Sequence, residues 1–221
     1  MHNYLMWINN YDLFIFDLDD TLIKTEYIHY ISWKTILNIN FDYNFYISKF
    51  HSNKNDSIKF FLINELNLKN YDELIEKKNK FYINYIIENR DKIKMIDGAY
   101  EILEYILNKK KKFVIVSNSP KAQIDFFCNL FPILQKSSKN YYREMFINRK
   151  PHPECYLKII DDFPNTQKIG FEDSITGIHS ITQVKEITIC FINTPDYYYY
   201  EFIYKNYDIQ LVINSFYELL E

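Results

Sequence analysis

The sequence predicts an α/β protein: a Rossmann-like, doubly wound parallel sheet, interrupted after its first strand by an all-helical insert. Three observations predict it. The apolar run Leu13-Phe14-Ile15-Phe16 leads straight into Asp17-Leu18-Asp19-Asp20-Thr21, as in a strand buried on both faces with acids at its carboxyl end. No convincing strand pattern occurs between Glu26 and Lys94, where apolar residues recur at helical spacing. From Gly98 onward, strand-like and helix-like segments alternate, the pattern of parallel strands joined by helical crossovers.

Each element follows from its residues. After Thr21, Trp33, Ile36 and Leu37 repeat at helical spacing, with Ile28 and His29 one turn earlier. Ile58 to Leu66 and Leu74 to Ile87 give two more amphipathic stretches. Ala99 to Leu107 reads as a helix and Lys112 to Ser117 as a strand. Pro120 suits the first position of the next helix, with Ser119 as its N-cap. Pro153 to Ile160 is a predicted helix, Lys168 to Phe171 a strand and Ser174 to Thr182 a helix. Two final strands are predicted over Ile187 to Ile192 and Gln210 to Ile213. The expected division is an α/β core of residues 1–24 and 96–221 and a helical cap of residues 25–95. Because the insert follows the first strand, the cap is expected over that strand's carboxyl end.

Composition narrows the function classes. The 221 residues carry 26 Lys and Arg against 29 Asp and Glu, a net charge of -3. No global basic field points to nucleic acid. No stretch approaches the roughly 18 apolar residues of a membrane-spanning helix, and residues 1–10 lack the apolar core of a signal peptide. Cys128, Cys155 and Cys190 are odd in number and widely spaced, which reads as buried free thiols in a reducing compartment. A cytoplasmic protein with no nucleic-acid or membrane partner is therefore expected, and a monomer, because a cap must open and close freely. The excess of Tyr (21) and Phe (18) is a compositional bias, so the run Tyr197 to Tyr200 is read as packed or solvated tyrosines.

Four segments would meet at the carboxyl edge of such a sheet, where α/β sheets bind ligands. They are Asp17/Asp19/Thr21, Ser117-Asn118-Ser119, Lys150 within Arg149-Lys150-Pro151, and Glu172-Asp173-Ser174. Alone, each has a plain structural explanation: a solvated acid pair, a helix cap, an exposed lysine, or first-turn acids of a helix. Together, in this order and each at a strand end or helix start, they fit phosphoryl transfer. Asp17 can attack phosphorus and form an aspartyl-phosphate. Asp19 can protonate the leaving oxygen and then activate the acceptor. Mg²⁺ takes oxygen ligands, and Asp17, the main-chain carbonyl of Asp19, Asp173 and Glu172 can supply them. Ser117 and Lys150, with Thr21 and Asn118, are the candidates for binding phosphate oxygens.

In order and in kind, these segments resemble the four motifs of the haloacid dehalogenase-like superfamily of phosphoryl-transfer enzymes. The resemblance implies a Rossmann-like core, a small helical cap after motif one, and Mg²⁺. The forms Lys150-Pro151-His152-Pro153 and Phe171-Glu172-Asp173-Ser174 followed by Gly177-Ile178 are similar to the β-phosphoglucomutase-like and phosphatase-like branch. In the cap, Thr25, His29, Trp33 and Lys34 match that branch in spacing. Asn53-Lys54-Asn55-Asp56-Ser57 and Lys77-Lys78-Asn79 resemble two of its cap segments. The resemblance implies that His29 lies near the catalytic acid, and that Lys54 and Lys78 face substrate, Lys54 standing where the branch has a phosphate-gripping arginine. The sequence departs from the mutase at Asp20, where the mutase has Gly, and at Lys54, since lysine lacks arginine's bidentate fork.

Three functions follow as alternatives. The first is a Mg²⁺-dependent phosphatase of a small phosphorylated metabolite. The second is a sugar phosphomutase with the same chemistry and a sugar hydroxyl as acceptor. The third is a binding protein that keeps the fold without turnover.

Overall fold

The computed structural model describes residues 9–50, 55–68, 70–193 and 200–221. The chain divides into two compact units, residues 1–23 with 94–221, and residues 24–93.

The first unit holds six parallel strands: β1 (Leu13–Phe16), β2 (Lys112–Val116), β3 (Lys139–Tyr141), β4 (Lys168–Glu172), β5 (Ile187–Ile192) and β6 (Leu211–Ile213). Their order in the sheet is β3-β2-β1-β4-β5-β6. The chain therefore winds outward from β1 to one edge, returns to β4 and winds outward again. The reversal lies between β1 and β4, and such a crevice is where doubly wound sheets bind ligands. Phe16 is in register with Ile115 on one side and Phe171 on the other, which brings the residues after β1, β2 and β4 to one edge.

β1 and β4 are buried along their whole length, because helices cover both faces of a parallel sheet. Phe16 stacks on Phe171 with centroids 4.6 Å apart, and Phe113 and Phe216 meet Phe16 edge-on. Burying one such ring contributes about 1.5–3 kcal/mol. Four helices join the strands as expected, Ala99–Asn108, Lys121–Leu130, Glu154–Asp162 and Ile175–Ile181; a fifth, Tyr200–Asn206, was not foreseen, and the tyrosines Tyr197 to Tyr199 before it lie outside the described residues. Gly98, before the first of these, has φ 78°, and a Cβ there would meet the Tyr217 backbone nitrogen at 2.6 Å.

Two local expectations are corrected. β3 escaped sequence analysis because Lys-Asn-Tyr is three residues long and not apolar; it is an edge strand paired only with β2. Ser119 does not cap the helix that follows it. Pro120 takes the cap position, the helix begins at Lys121, and the Lys121 amide donates to Glu144 Oε2 instead. The three cysteines are free and buried.

The second unit is helical: Glu26–Leu37, Tyr43–Lys49, Asn55–Phe60 running into a wide turn over Phe61–Glu65, and Tyr71–Glu88. The first and last of these pack on each other. Its core is aromatic, with Trp33, Phe41, Tyr46, Phe50, Phe61 and Tyr82 all buried. Among the described residues, no helix is long and apolar enough to cross a membrane.

Candidate active site

Asp17 follows directly from β1, and its amide continues the sheet by donating to the Phe171 carbonyl at 3.1 Å. The backbone ladder, not the side chain, thus fixes where its carboxylate starts. Lys150 reaches the same point from the loop before the helix Glu154–Asp162. Its ammonium donates to Asp17 Oδ1 at 2.6 Å, Glu172 Oε1 at 2.6 Å and the Val116 carbonyl at 2.9 Å. All three protons are engaged, and the side chain is 4% exposed. Burial alone would depress the lysine's pKa, but the charges of Asp17 and Glu172 outweigh it and hold the ammonium well above its ordinary value.

Asp17, Glu172 and Asp173 bring one oxygen each within 4.8 Å of one another, and all three are buried. Burial pushes the Asp17 carboxyl well above the usual carboxylate range, against the pull of Lys150. Asp173 is pushed the same way by burial and by the charges of Asp17, Asp20 and Glu172. Three carboxylates against one ammonium would leave two negative charges in a desolvated space. Glu172 is fully buried, its Oε1 accepts from Lys150 and from the Tyr156 hydroxyl, and its Oε2 has no hydrogen-bond partner. An excess of buried acid and an orphaned carboxylate oxygen are what a divalent cation with oxygen ligands fits.

Gly177 makes room for this arrangement. A Cβ there would lie 1.7 Å from Glu172 Oε2, so only glycine lets the helix Ile175–Ile181 pass so close to the acid. Ser174 caps that helix by accepting from the Gly177 amide at 3.0 Å.

The carboxylate of Asp19 stands outside the three-acid group. Its Oδ2 accepts from Ser119 Oγ at 2.6 Å and from Ser117 Oγ at 3.3 Å, and its Oδ1 accepts from Gln123 Nε2 at 3.1 Å. The group of acids that could hold a metal ion is thus Asp17, Glu172 and Asp173, without the Asp19 carboxylate. Its neighbour Asp20 adopts φ 53°, a left-handed conformation that aspartate tolerates better than most residues. This lets the chain fold back, with the Asp20 amide donating to the Ile23 carbonyl at 2.7 Å.

Thr21 and Asn118, read from the sequence as phosphate-binding candidates, each make contacts within the protein. The Thr21 hydroxyl donates to Asp173 Oδ1 at 3.0 Å and so orients a carboxylate. Asn118 grips the Lys150 peptide from both sides, accepting from its amide at 3.1 Å and donating to its carbonyl at 3.2 Å. Farther along the same loop, the Glu154 carboxylate accepts from the Ile147 and Asn148 amides, each at 2.8 Å. Those two bonds hold the Glu154 carboxyl below its ordinary value. The loop that delivers Lys150 is thereby braced at both ends.

A family model for haloacid dehalogenase-like hydrolases matches residues 14–189. The chain belongs to that family. Solved structures agree with the assignment. A family IA, variant 3 hydrolase from Entamoeba histolytica is 21% identical, with 94% of each chain covered and a TM-score of 0.75. A β-phosphoglucomutase from Clostridium difficile is 25% identical over 95% of this chain and 93% of its own, with a TM-score of 0.71. CbbY from Rhodobacter sphaeroides, solved with phosphate, is 17% identical over 95% of this chain and 96% of its own, with a TM-score of 0.73.

As a haloacid dehalogenase-like hydrolase, the chain carries its four sequence motifs in one unit, and its core brings Asp17, Asp19, Thr21, Ser117, Asn118, Lys150, Glu172 and Asp173 to one sheet edge. The cap candidates fall differently. Lys54 lies outside the described residues. His29 and Lys78 meet each other within the helical unit, Nδ1 to Nζ at 2.7 Å, and the imidazole stacks on Tyr82 at 4.3 Å between centroids.

Gln123, Tyr156 and Gly177 also shape the site, beyond the residues expected from the sequence. Gln123 had a readable signal: it heads the buried stripe Gln123, Ile124, Phe127 and Cys128, a polar residue on an apolar helix face. Tyr156 had none, since a tyrosine on the inner face of a helix is ordinary core.

Proposed function

We propose that this hydrolase removes phosphate from a small phosphorylated metabolite, with Mg²⁺ and through an aspartyl-phosphate on Asp17. One observation carries the reading. Asp17 is buried between Lys150 and two further acids, while Asp19, two residues on, is held apart on hydroxyl and amide donors. Two carboxylates in such different surroundings suit two roles, nucleophile and acid–base.

In the first half-reaction an Asp17 oxygen bonds to phosphorus, the bond from phosphorus to the leaving oxygen breaks, and Asp19 gives that oxygen its proton. In the second, Asp19 takes a proton from water, the water oxygen bonds to phosphorus, and Asp17 leaves as carboxylate. Lys150, on exchanging one of its protein acceptors for phosphate, and the Ser117 hydroxyl would bind equatorial phosphate oxygens as charge develops. Asp17, Glu172, Asp173 and the main-chain carbonyl of Asp19 would hold Mg²⁺, which when bound offsets the repulsion between Asp17 and an anionic phosphate.

The test is phosphate release from a panel of phosphometabolites, hexose 1- and 6-phosphates included, run with Mg²⁺ and beside Asp17→Asn. Wild-type release should disappear with chelator and fall at least about 10⁴-fold in the variant, the scale on which loss of a nucleophile acts. Release that survives in Asp17→Asn would sink the reading. The likeness to a β-phosphoglucomutase keeps one second reading, in which a sugar hydroxyl replaces water as acceptor. Interconversion of hexose phosphates without net release would select it.

A further inference from the structure

Asp19 must do its work from one orientation, yet an aspartate side chain has three staggered choices about its first bond. The segment 117–123 supplies all three donors found on its carboxylate. Two are serine hydroxyls at the sheet edge, free to rotate toward another acceptor. The third is different. Gln123 is the third residue of the helix Lys121–Leu130, is 5% exposed, and sits on an otherwise apolar face. An amide donor at that depth is costly to bury without a partner. It carries no charge, cannot act as a nucleophile, and is anchored by a helix whose Ile124 and Phe127 are buried beside it.

We propose that Gln123 is a positioning residue for Asp19: its amide, from the first turn of the helix after β2, holds the Asp19 carboxylate in the orientation from which it protonates the leaving group. This rests on the acid–base reading of Asp19 given above. Gln123 touches no reacting atom; it acts by fixing Oδ1, which leaves Oδ2 to the two hydroxyls.

The test exploits leaving groups. A nitrophenolate leaves phosphorus without needing a proton, whereas an alkoxide needs one. kcat/KM reports the step up to phosphoryl transfer, so the ratio of its values for benzyl phosphate and p-nitrophenyl phosphate isolates the acid. If benzyl phosphate is turned over too slowly, the best alkyl phosphate of the metabolite panel replaces it. General acids contribute about 10²–10⁴-fold. Asp19→Asn should lower the ratio by that scale, and Gln123→Met, equal in length but without the donor, by about tenfold. Loss of packing alone would lower both substrates together and leave the ratio unmoved. Should Gln123→Met fail to fold, Gln123→Asn keeps a polar side chain and withdraws the amide from Asp19; the same fall in ratio is expected.

An unmoved ratio in a folded Gln123 variant, with a lowered ratio in Asp19→Asn, overturns the positioning role and leaves the acid–base reading standing. An unmoved ratio in Asp19→Asn overturns both. Activity that persists in Asp17→Asn removes the phosphohydrolase reading itself.

Discussion

Lys150 and Lys78 are both buried lysines, one in each unit of the chain, and the contacts described for them differ in kind. Lys150 sits among charges: two carboxylates and a carbonyl take its three protons. Lys78 sits among rings, 2.7 Å from His29 Nδ1, with the Tyr82 and Trp33 centroids 5.4 and 6.0 Å from its ammonium. The difference teaches where each unit finds its precision. In the α/β unit, strand register brings charges from distant parts of the chain to one edge. In the helical unit, rings surround a lysine locally, between two helices that pack on each other.

The comparison can be broken by substitution. Lys150→Met should have the largest effect on stability, about 3–5 kcal/mol, because it leaves buried acids without their cation. Chemical denaturation would measure it, and a loss below 1 kcal/mol would mean that the acids are already protonated or compensated. Gly177→Ala should come next, at about 1–3 kcal/mol, since the new methyl group must displace Glu172. It should also lower phosphate release, whereas an equally destabilising change in the helical core should not do so by the same route. Lys78→Met should cost about 1 kcal/mol, the scale of a cation–π contact and a hydrogen bond. A Lys78 loss as large as that of Lys150 would erase the contrast.

The last effect is a slope with pH, not a fixed loss. Asp17 and Asp173 have folded pKa values raised above the ordinary 3.8, so the folded state binds protons more tightly than the unfolded chain. Stability of the metal-free protein should therefore fall as pH rises from about 4 through the raised values, by at most about 1.4 kcal/mol per pH unit for each group. Mg²⁺, by favouring the ionised acids, should flatten that slope. Denaturation curves at several pH values, with chelator and with Mg²⁺, give both numbers. A metal-free protein that gains stability over this range would show that the acids are not desolvated as described.

Legibility followed the physics of each element. β1, β2, β4 and β5 are apolar runs with clear ends, so their sequence bounds and observed bounds differ by no more than a residue. β3 is polar and short, and the helix Tyr43–Lys49 is only seven residues long, too brief for a periodic pattern to stand out. Site residues were legible where the motif is local. Asp17, Lys150, Glu172 and Asp173 stand at strand ends or in a turn, and the structure gathers them. Their partners were less so. Ser119 suits a helix cap by every local rule, yet a carboxylate 100 positions earlier takes its hydroxyl.

The sequence by itself determined which apolar runs become strands, and hence which acids and hydroxyls stand at their ends, because burial on two faces demands continuous apolar runs and those runs stop where the polar residues begin. Only the tertiary structure decided which donor meets which oxygen: Thr21 with Asp173, Asn118 with the Lys150 peptide, Gln123 with Asp19. Those pairs span from 32 to 152 positions. They depend on strand order and on how each helix is rotated against the sheet, and no local pattern of residues encodes either.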